Sequence, residues 1–307
     1  MEDDENCCTV QRSLLKTIFE GNIMGKNEKN QKSKSIDLTV DNNKIYEKLA
    51  EINTNLIEQN ALLVQEIRNL KQEIDRITTS INTTKLVSKE ILWSEIFNNT
   101  ISDSSWLKDK SFSPGRWAVG YQYLYAVYRI LNEIKPKNIL ELGLGQSTRL
   151  LSQYVRANKD VEHLIVEHDK NWIEFFSNEF RLPKNSNIVQ LELENREFKE
   201  DTEVLCYKDF SEALKNRKFD FISIDAPFGF NAKVYARIDV LKIMPQCLAE
   251  NFVIVIDDYN RKGEKNTVLE MEKVLTEKGI KYAKGVYTGE KECLVIASEN
   301  NKFLTSM

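Results

Sequence analysis

From Tyr46 onward the chain repeats in heptads. Tyr46, Asn53, Asn60, Ile67, Ile74 and Ile81 fall at one recurring position, Leu49, Leu56, Leu63, Leu70 and Ile77 at the other, and neither Pro nor Gly interrupts the run. The residues between them are mostly Glu, Lys, Gln, Asn and Arg, so a helix here carries one narrow dry stripe, the pattern of a coiled coil. Ile at the first position with Leu at the second favours two parallel strands, and Asn53 and Asn60 paired across the seam would fix its register. The spacing therefore predicts a parallel homodimeric coiled coil over residues 41–85, about 54 Å long between residues 46 and 81 at the usual helical rise. The alternative is a single amphipathic helix folded back over the domain that follows. Residues 1–40 change character every few positions, and 25–35 hold nothing apolar to bury, which predicts a disordered tail.

Past Thr84 the heptads give way to an aromatic-rich stretch with Trp93, Phe97, Trp106, Phe112 and Trp117. A turn at Ser113-Pro114-Gly115 and a helix from about Val119 to Ile134, stopped by Pro136, complete a cap over 86–137. The period then changes. Apolar runs predict strands at 138–142, 163–167, 187–193, 219–225, 253–257, 281–286 and 292–297, with helices at 149–155, 236–248 and 267–278. Strands that alternate with helices and end in two joined by a short turn at Thr288-Gly289-Glu290 specify an α/β fold, a Rossmann-like seven-stranded sheet with a C-terminal antiparallel hairpin, over 138–307.

The turn after the first strand, Gly143-Leu144-Gly145-Gln146-Ser147-Thr148, carries the first candidate chemistry. Gly143 and Gly145 let backbone approach a ligand, and Ser147 or Thr148 can cap the helix whose free N–H groups face it. Glu167 ends the second strand, 24 residues after Gly143, where a carboxylate can accept hydrogen bonds from both hydroxyls of a ribose. Asp225 ends the fourth strand, and Asp257 and Asp258 end the fifth. Three carboxylates on one rim repel one another unless protonated or matched by a cation, and oxygen ligands of this kind suit Mg²⁺ or Mn²⁺. Softer candidates are Arg116, placed to pair with a carboxylate of the ligand, Tyr207, placed to meet its base, and Arg237 and Arg261, which read as solvated charges or as partners of an acidic acceptor.

These segments resemble the class I S-adenosylmethionine-dependent methyltransferases, from Ile139-Leu140-Glu141-Leu142-Gly143-Leu144-Gly145 through Ile165-Val166-Glu167-His168-Asp169 to the final hairpin. The resemblance implies S-adenosyl-L-methionine as cofactor, held by Glu141, Gly143, Gly145, Ser147, Thr148, Glu167, Arg116 and Tyr207. A nicotinamide fingerprint would instead want a third glycine where Thr148 stands. More narrowly, Asp225-Ala226-Pro227-Phe228-Gly229, Ala236-Arg237 and Asp257-Asp258 are similar to an Asp-Ala-Pro-Arg-Gly, a Gly-Arg-Met and a His-Asp stretch of the plant glucuronoxylan 4-O-methyltransferase family, with Phe228, Ala236 and Asp257 as departures. Asp225, Asp257 and Asp258 also resemble the metal ligands of the metal-dependent O-methyltransferases. These resemblances imply an O-methyltransferase acting on a sugar hydroxyl of a glycan or its activated precursor, with Asp225 and Asp258 catalytic. A catechol-like or other small diol is the competing acceptor, and a non-catalytic scaffold that recruits glycan-building enzymes is the competing class.

Bulk properties narrow the field further. A formal charge of −4 over 307 residues argues against a dedicated nucleic-acid binder. No run approaches the length of a membrane span, and an acidic start lacks the marks of a secretory leader, so the expected location is the cytoplasm. Five cysteines without a CxxC pair, alongside two histidines, suggest neither disulfides nor structural zinc.

Overall fold

The computed structural model describes residues 38–115 and 117–306. The tail expected to be disordered is therefore outside the described residues up to position 37, and so is Arg116. The chain divides into two compact units, Met1–Ile74 and Asp75–Met307.

The first described element is helix α1, Leu38–Ile101, 64 residues long. In the first unit its heptad residues Tyr46, Leu49, Leu56, Leu63, Ile67, Leu70 and Ile74 all stand exposed, at 51–67%. In the second unit Ile77 and Ile81 are exposed too, after which the helix becomes part of a core through Trp93, Phe97 and Ile101. With neither Pro nor Gly between 84 and 101 nothing ends the helix, so the first aromatics of the cap continue α1. The Trp93 indole donates to Thr288 O (2.9 Å), and Phe97 meets Phe112 edge-on. Glu90 accepts from the backbone N–H of Tyr121 (2.8 Å) and of Glu290 (3.1 Å), which fixes the last turns of α1 to two loops at once.

Helix α2 (Tyr121–Ile134) follows, and then the sheet begins. Its strands are β1 (Asn138–Leu142), β2 (Glu162–Glu167), β3 (Ser186–Gln190), β6 (Phe219–Ile224), β7 (Leu248–Ile256), β8 (Tyr282–Thr288) and β9 (Glu292–Ser298). They lie in the order β3-β2-β1-β6-β7-β9-β8. The first five are mutually parallel, and β9 runs antiparallel to both β7 and β8. This is a Rossmann-like, doubly wound sheet that ends in the expected antiparallel hairpin. Helices α3 (Gln146–Ala157), α4 (Lys170–Glu179) and α6 (Lys262–Glu277), with the short α5 (Phe210–Ala213), complete the layers.

Neighbouring residues of one strand enter opposite cores. Val253 and Val255 pack with α2 and the Trp93–Phe97 group, while Ile254 and Ile256 pack with Val268, Met271 and Leu275 of α6. A sheet covered on both faces reads as unbroken apolar runs, which is why its strands are visible in the sequence.

Two stretches differ from expectation. Residues 193–207 form an antiparallel hairpin, β4 (Leu193–Phe198) with β5 (Asp201–Tyr207), that lies outside the main sheet. The helix expected over 236–248 is absent. Arg237 sits in the left-handed region at φ 57°, a 3₁₀ turn covers only Asp239–Lys242, and β7 has begun by Leu248. Pro245 lacks the donor that a helix would need there.

Candidate functional site

The strand order reverses between β1 and β6, and a crevice at the C-terminal ends of strands is where ligands enter such sheets. Gly143 turns the chain out of β1 at φ +100°, where a Cβ would stand 3.0 Å from Ala226 Cβ, so only glycine suits both the backbone and the space. Its N–H donates to Val166 O (2.9 Å), and the Asp225 N–H donates to Leu142 O (2.9 Å), so the ends of β1, β2 and β6 are tied together. A Cβ built on Gly145 would meet nothing within 4 Å, which leaves that side of the turn open. Thr148 Oγ1 accepts from the Gly145 N–H (2.9 Å) at the start of α3, one half of a capping box.

Glu167 presents its carboxylate at the end of β2. One oxygen accepts from Leu144 N–H (3.1 Å) and the other from His168 N–H (2.6 Å) and Asp169 N–H (2.9 Å), with His168 Nδ1 also 2.7 Å away. Burial pushes its pKa up, but these hydrogen bonds outweigh burial and hold it below the usual range. The group is therefore a fixed anion at the crevice.

The remaining expected cofactor residues take other places. Glu141 is fully buried, accepting from Ser147 Oγ (2.6 Å) and facing His163 Nε2 (3.0 Å), whose other ring nitrogen meets Ser186 Oγ (3.0 Å). Glu141 and Ser147 thus brace the first turn of α3 from inside. Tyr207 is also fully buried, stacked on Phe210 with its N–H on Asp239 Oδ1 (2.9 Å), and offers no surface to a base.

The fourth and fifth strand ends converge as expected. Asp225, Asp257 and Asp258 each bring an oxygen within 4.8 Å of the others, close enough for one ion to touch all three. Sequence reasoning missed what surrounds them. Arg237 is buried beneath the cluster, its Nη2 lying 2.8 Å from Asp258 Oδ2 and 3.2 Å from Asp225 Oδ1 while its Nη1 donates to Asp257 O (2.9 Å). Arg261 adds a second contact to Asp258 Oδ2 (2.9 Å). Lys291 Nζ stands 3.6 Å from Asp257 Oδ2 and 3.5 Å from Asp258 Oδ1, and donates to Ala118 O (2.9 Å). Glu264 on α6 is a fourth buried carboxylate, 3.7 Å from Arg237 Nε. Arg237 and Arg261, read from sequence as solvated charges, are therefore structural partners of the cluster. Lys291 and Glu264 carried no sequence signal, one being a lone lysine in a hairpin turn and the other one of many helical glutamates.

For Asp257 and Asp225 burial dominates protonation. Asp257 is completely enclosed with neither oxygen accepting a hydrogen bond, and burial, reinforced by the charge of Asp225, pushes its pKa to about 8. Asp225 retains 21% side-chain exposure, and burial, opposed by Arg237, raises it to about 6.

Above the crevice an aromatic row runs from Trp117 through Phe230 and Phe228 to His168, with ring centroids 5.8, 5.9 and 5.3 Å apart in turn. Trp117, Phe228 and Phe230 are all more than half exposed. A cavity of about 180 Å³ lies at the opposite, N-terminal edge of β1 and β2, lined by Asn138, His163 and Arg217, away from the carboxylates.

No protein-family model matches the chain, and no curated protein matches it. Among solved structures it is similar to an O-methyltransferase from Bacillus cereus in complex with SAH, at 13% identity and TM-score 0.40, over 69% of this chain and 91% of that one. An SAH-bound methyltransferase from Podospora anserina matches at 14% identity and TM-score 0.36, over 74% and 96%. A spermidine synthase from Thermotoga maritima matches at 17% identity and TM-score 0.35, over 58% and 59%. At these values the likeness concerns the path of the chain and selects no reaction.

Proposed function

We propose that the chain is an S-adenosylmethionine-dependent O-methyltransferase whose acceptor is a sugar hydroxyl of a glycan or activated glycan precursor. The observation that carries this reading is Asp225. It is the one partly exposed member of the carboxylate cluster, and its backbone is joined to the end of β1 where the Gly143 turn opens the crevice. The open side of Gly145 and the fixed anion Glu167 fit the cofactor, Glu167 as acceptor for its ribose hydroxyls. When bound, that molecule supplies a methyl group on a sulfonium sulfur. Asp225 is the base that takes the acceptor's proton, and a pKa near 6 suits it to do so at neutral pH. Asp258 is paired with Arg237 and Arg261, and acts by holding Arg237 against Asp225.

The exposed rings of Trp117, Phe228 and Phe230 give the acceptor a face to stack on. The same row suits a catechol-like or other small diol, which makes that the second reading. The exposed heptad stripe of α1 supports a homodimer through a parallel coiled coil. Among the described residues no helix is long and apolar enough to cross a membrane.

The test is mass-spectrometric detection of methyl transfer across hexuronic oligosaccharides, nucleotide sugars and catechols, with S-adenosylhomocysteine binding followed by calorimetry. Methylated saccharide supports the reading, and methylated catechol alone selects the second. A chain that binds NAD and ignores S-adenosylhomocysteine refutes both.

A further inference from the structure

We propose that Lys291, backed by Arg237 and Arg261, is the resident cation of the carboxylate cluster and holds the place that a divalent ion would otherwise take. The proposal rests on the methyltransferase reading only for its catalytic consequence.

Four buried or nearly buried carboxylates on one rim repel one another unless protonated, and those that ionise need compensating positive charge. The chain supplies that charge from three directions. Arg237 comes from beneath, Arg261 from the loop after β7, and Lys291 from the turn before β9. Their nearest contacts fall on Asp225 Oδ1, Asp257 Oδ2 and both oxygens of Asp258, so each of the three acids already faces a cation of the protein. A magnesium ion needs about six oxygens in a near-octahedral shell. It would have to draw them from side chains whose oxygens stand beside an ammonium and a guanidinium.

The cations are held in place by independent constraints. The Lys291 carbonyl accepts from Gly289 N–H (2.7 Å) and Gln122 Nε2 (3.2 Å), while its ammonium donates to Ala118 O. Arg237 and Asp258, the two ends of the 2.8 Å ion pair, both lie in the left-handed region at φ 57°. Neither is glycine, so backbone strain is accepted at both ends of the pair, as it is at sites where geometry matters. Lys291 thereby joins the loop carrying Trp117 to the acidic strand ends. It is a positioning residue for Asp257 and Asp258, and the cluster requires no metal.

Full-length protein titrated with Mn²⁺ alone, followed by calorimetry and electron paramagnetic resonance, tests this without any turnover. Wild type is expected to show no saturable binding up to about 1 mM, the weak end of protein cation sites. Lys291→Met should gain saturable binding, which Asp257→Asn in the same chain removes, while Lys291→Arg should exclude the ion as wild type does. Saturable binding by wild type that Asp257→Asn abolishes overturns the proposal. So does a folded Lys291→Met protein, verified by circular dichroism, that gains no Mn²⁺. S-adenosylhomocysteine calorimetry on the same samples keeps the two readings apart, because its failure would sink the methyltransferase reading while the Mn²⁺ titrations still decide this one.

Discussion

Replacing Asp257 by asparagine is expected to stabilise the protein, and to do so more as the pH rises. The side chain is fully enclosed, neither oxygen accepts a hydrogen bond, and its pKa stands at about 8. In the unfolded chain the same group titrates at about 3.9. Because the folded value is the higher one, the folded state binds the proton more tightly. The stability this group contributes is complete below about pH 4 and is lost as the pH climbs through about 8. Each unit within that window costs about 1.4 kcal/mol, so the loss between pH 5 and pH 8 has a ceiling of about 4 kcal/mol. Asparagine has no proton to lose and escapes this cost. Weaker seating of Lys291 takes part of the gain back, and a net advantage of about 2 kcal/mol at pH 8 is expected. Urea unfolding of both proteins at pH 5, 6, 7 and 8 measures it. A difference that does not change with pH, or a variant less stable than wild type at pH 8, would mean that Asp257 is ionised in the folded protein, and the reasoning would fail.

The remaining predictions address the site and the assembly. Glu167→Ala should weaken S-adenosylhomocysteine binding more than about tenfold in calorimetry by removing the ribose acceptor; unchanged affinity would place the cofactor elsewhere. Asp225→Asn should lower kcat by about 10²-fold or more, and wild-type turnover should fall as the pH drops through about 6, where burial sets the Asp225 pKa. A pH profile flat from 5 to 8 would remove Asp225 as the base. Phe228→Ala should raise KM for the acceptor about fivefold or more with kcat little changed, as the loss of a stacking face implies. Deletion of residues 1–85 should convert a dimer into a monomer in light scattering, and a deletion variant that remains dimeric at low micromolar concentration would assign the interface to the α/β domain.

The strands, the glycine turn and the acids at the strand ends were legible because each obeys a local rule. β1, β6 and β7 are covered on both faces and read as apolar runs, and Glu167, Asp225 and Asp257 are the first charges after such runs. Gly143 is legible because the turn leaves no space for a Cβ. Arg237 was not legible. Its partners lie at positions 225, 258 and 264, and a guanidinium buried by three distant segments looks in sequence like one bathed in water. The apolar spacing of 236–248 imitates a helix, but Arg237 turns into the left-handed region and Asp239 is taken by the Tyr207 N–H, so tertiary contacts override the pattern. The β4–β5 hairpin escaped because Glu194, Arg196 and Glu197 make β4 read as a polar loop, although β5 buries Val204, Cys206 and Tyr207. Glu141 and Tyr207 carried the right motif positions and face inward.

Glu90 gives the end of α1 a role that its heptads would conceal. Its two carboxylate oxygens hold the start of α2 and the tip of the β8–β9 hairpin, and the residue after that tip is Lys291. The ammonium at the acidic strand ends is thus anchored, one residue removed, from a helix whose upstream sequence announces assembly. Substitutions near position 90 would be scored in a genetic screen as defects of oligomerisation, on the strength of where they map. The protein recovered from such a strain should instead sediment as wild type does and fail at its chemistry.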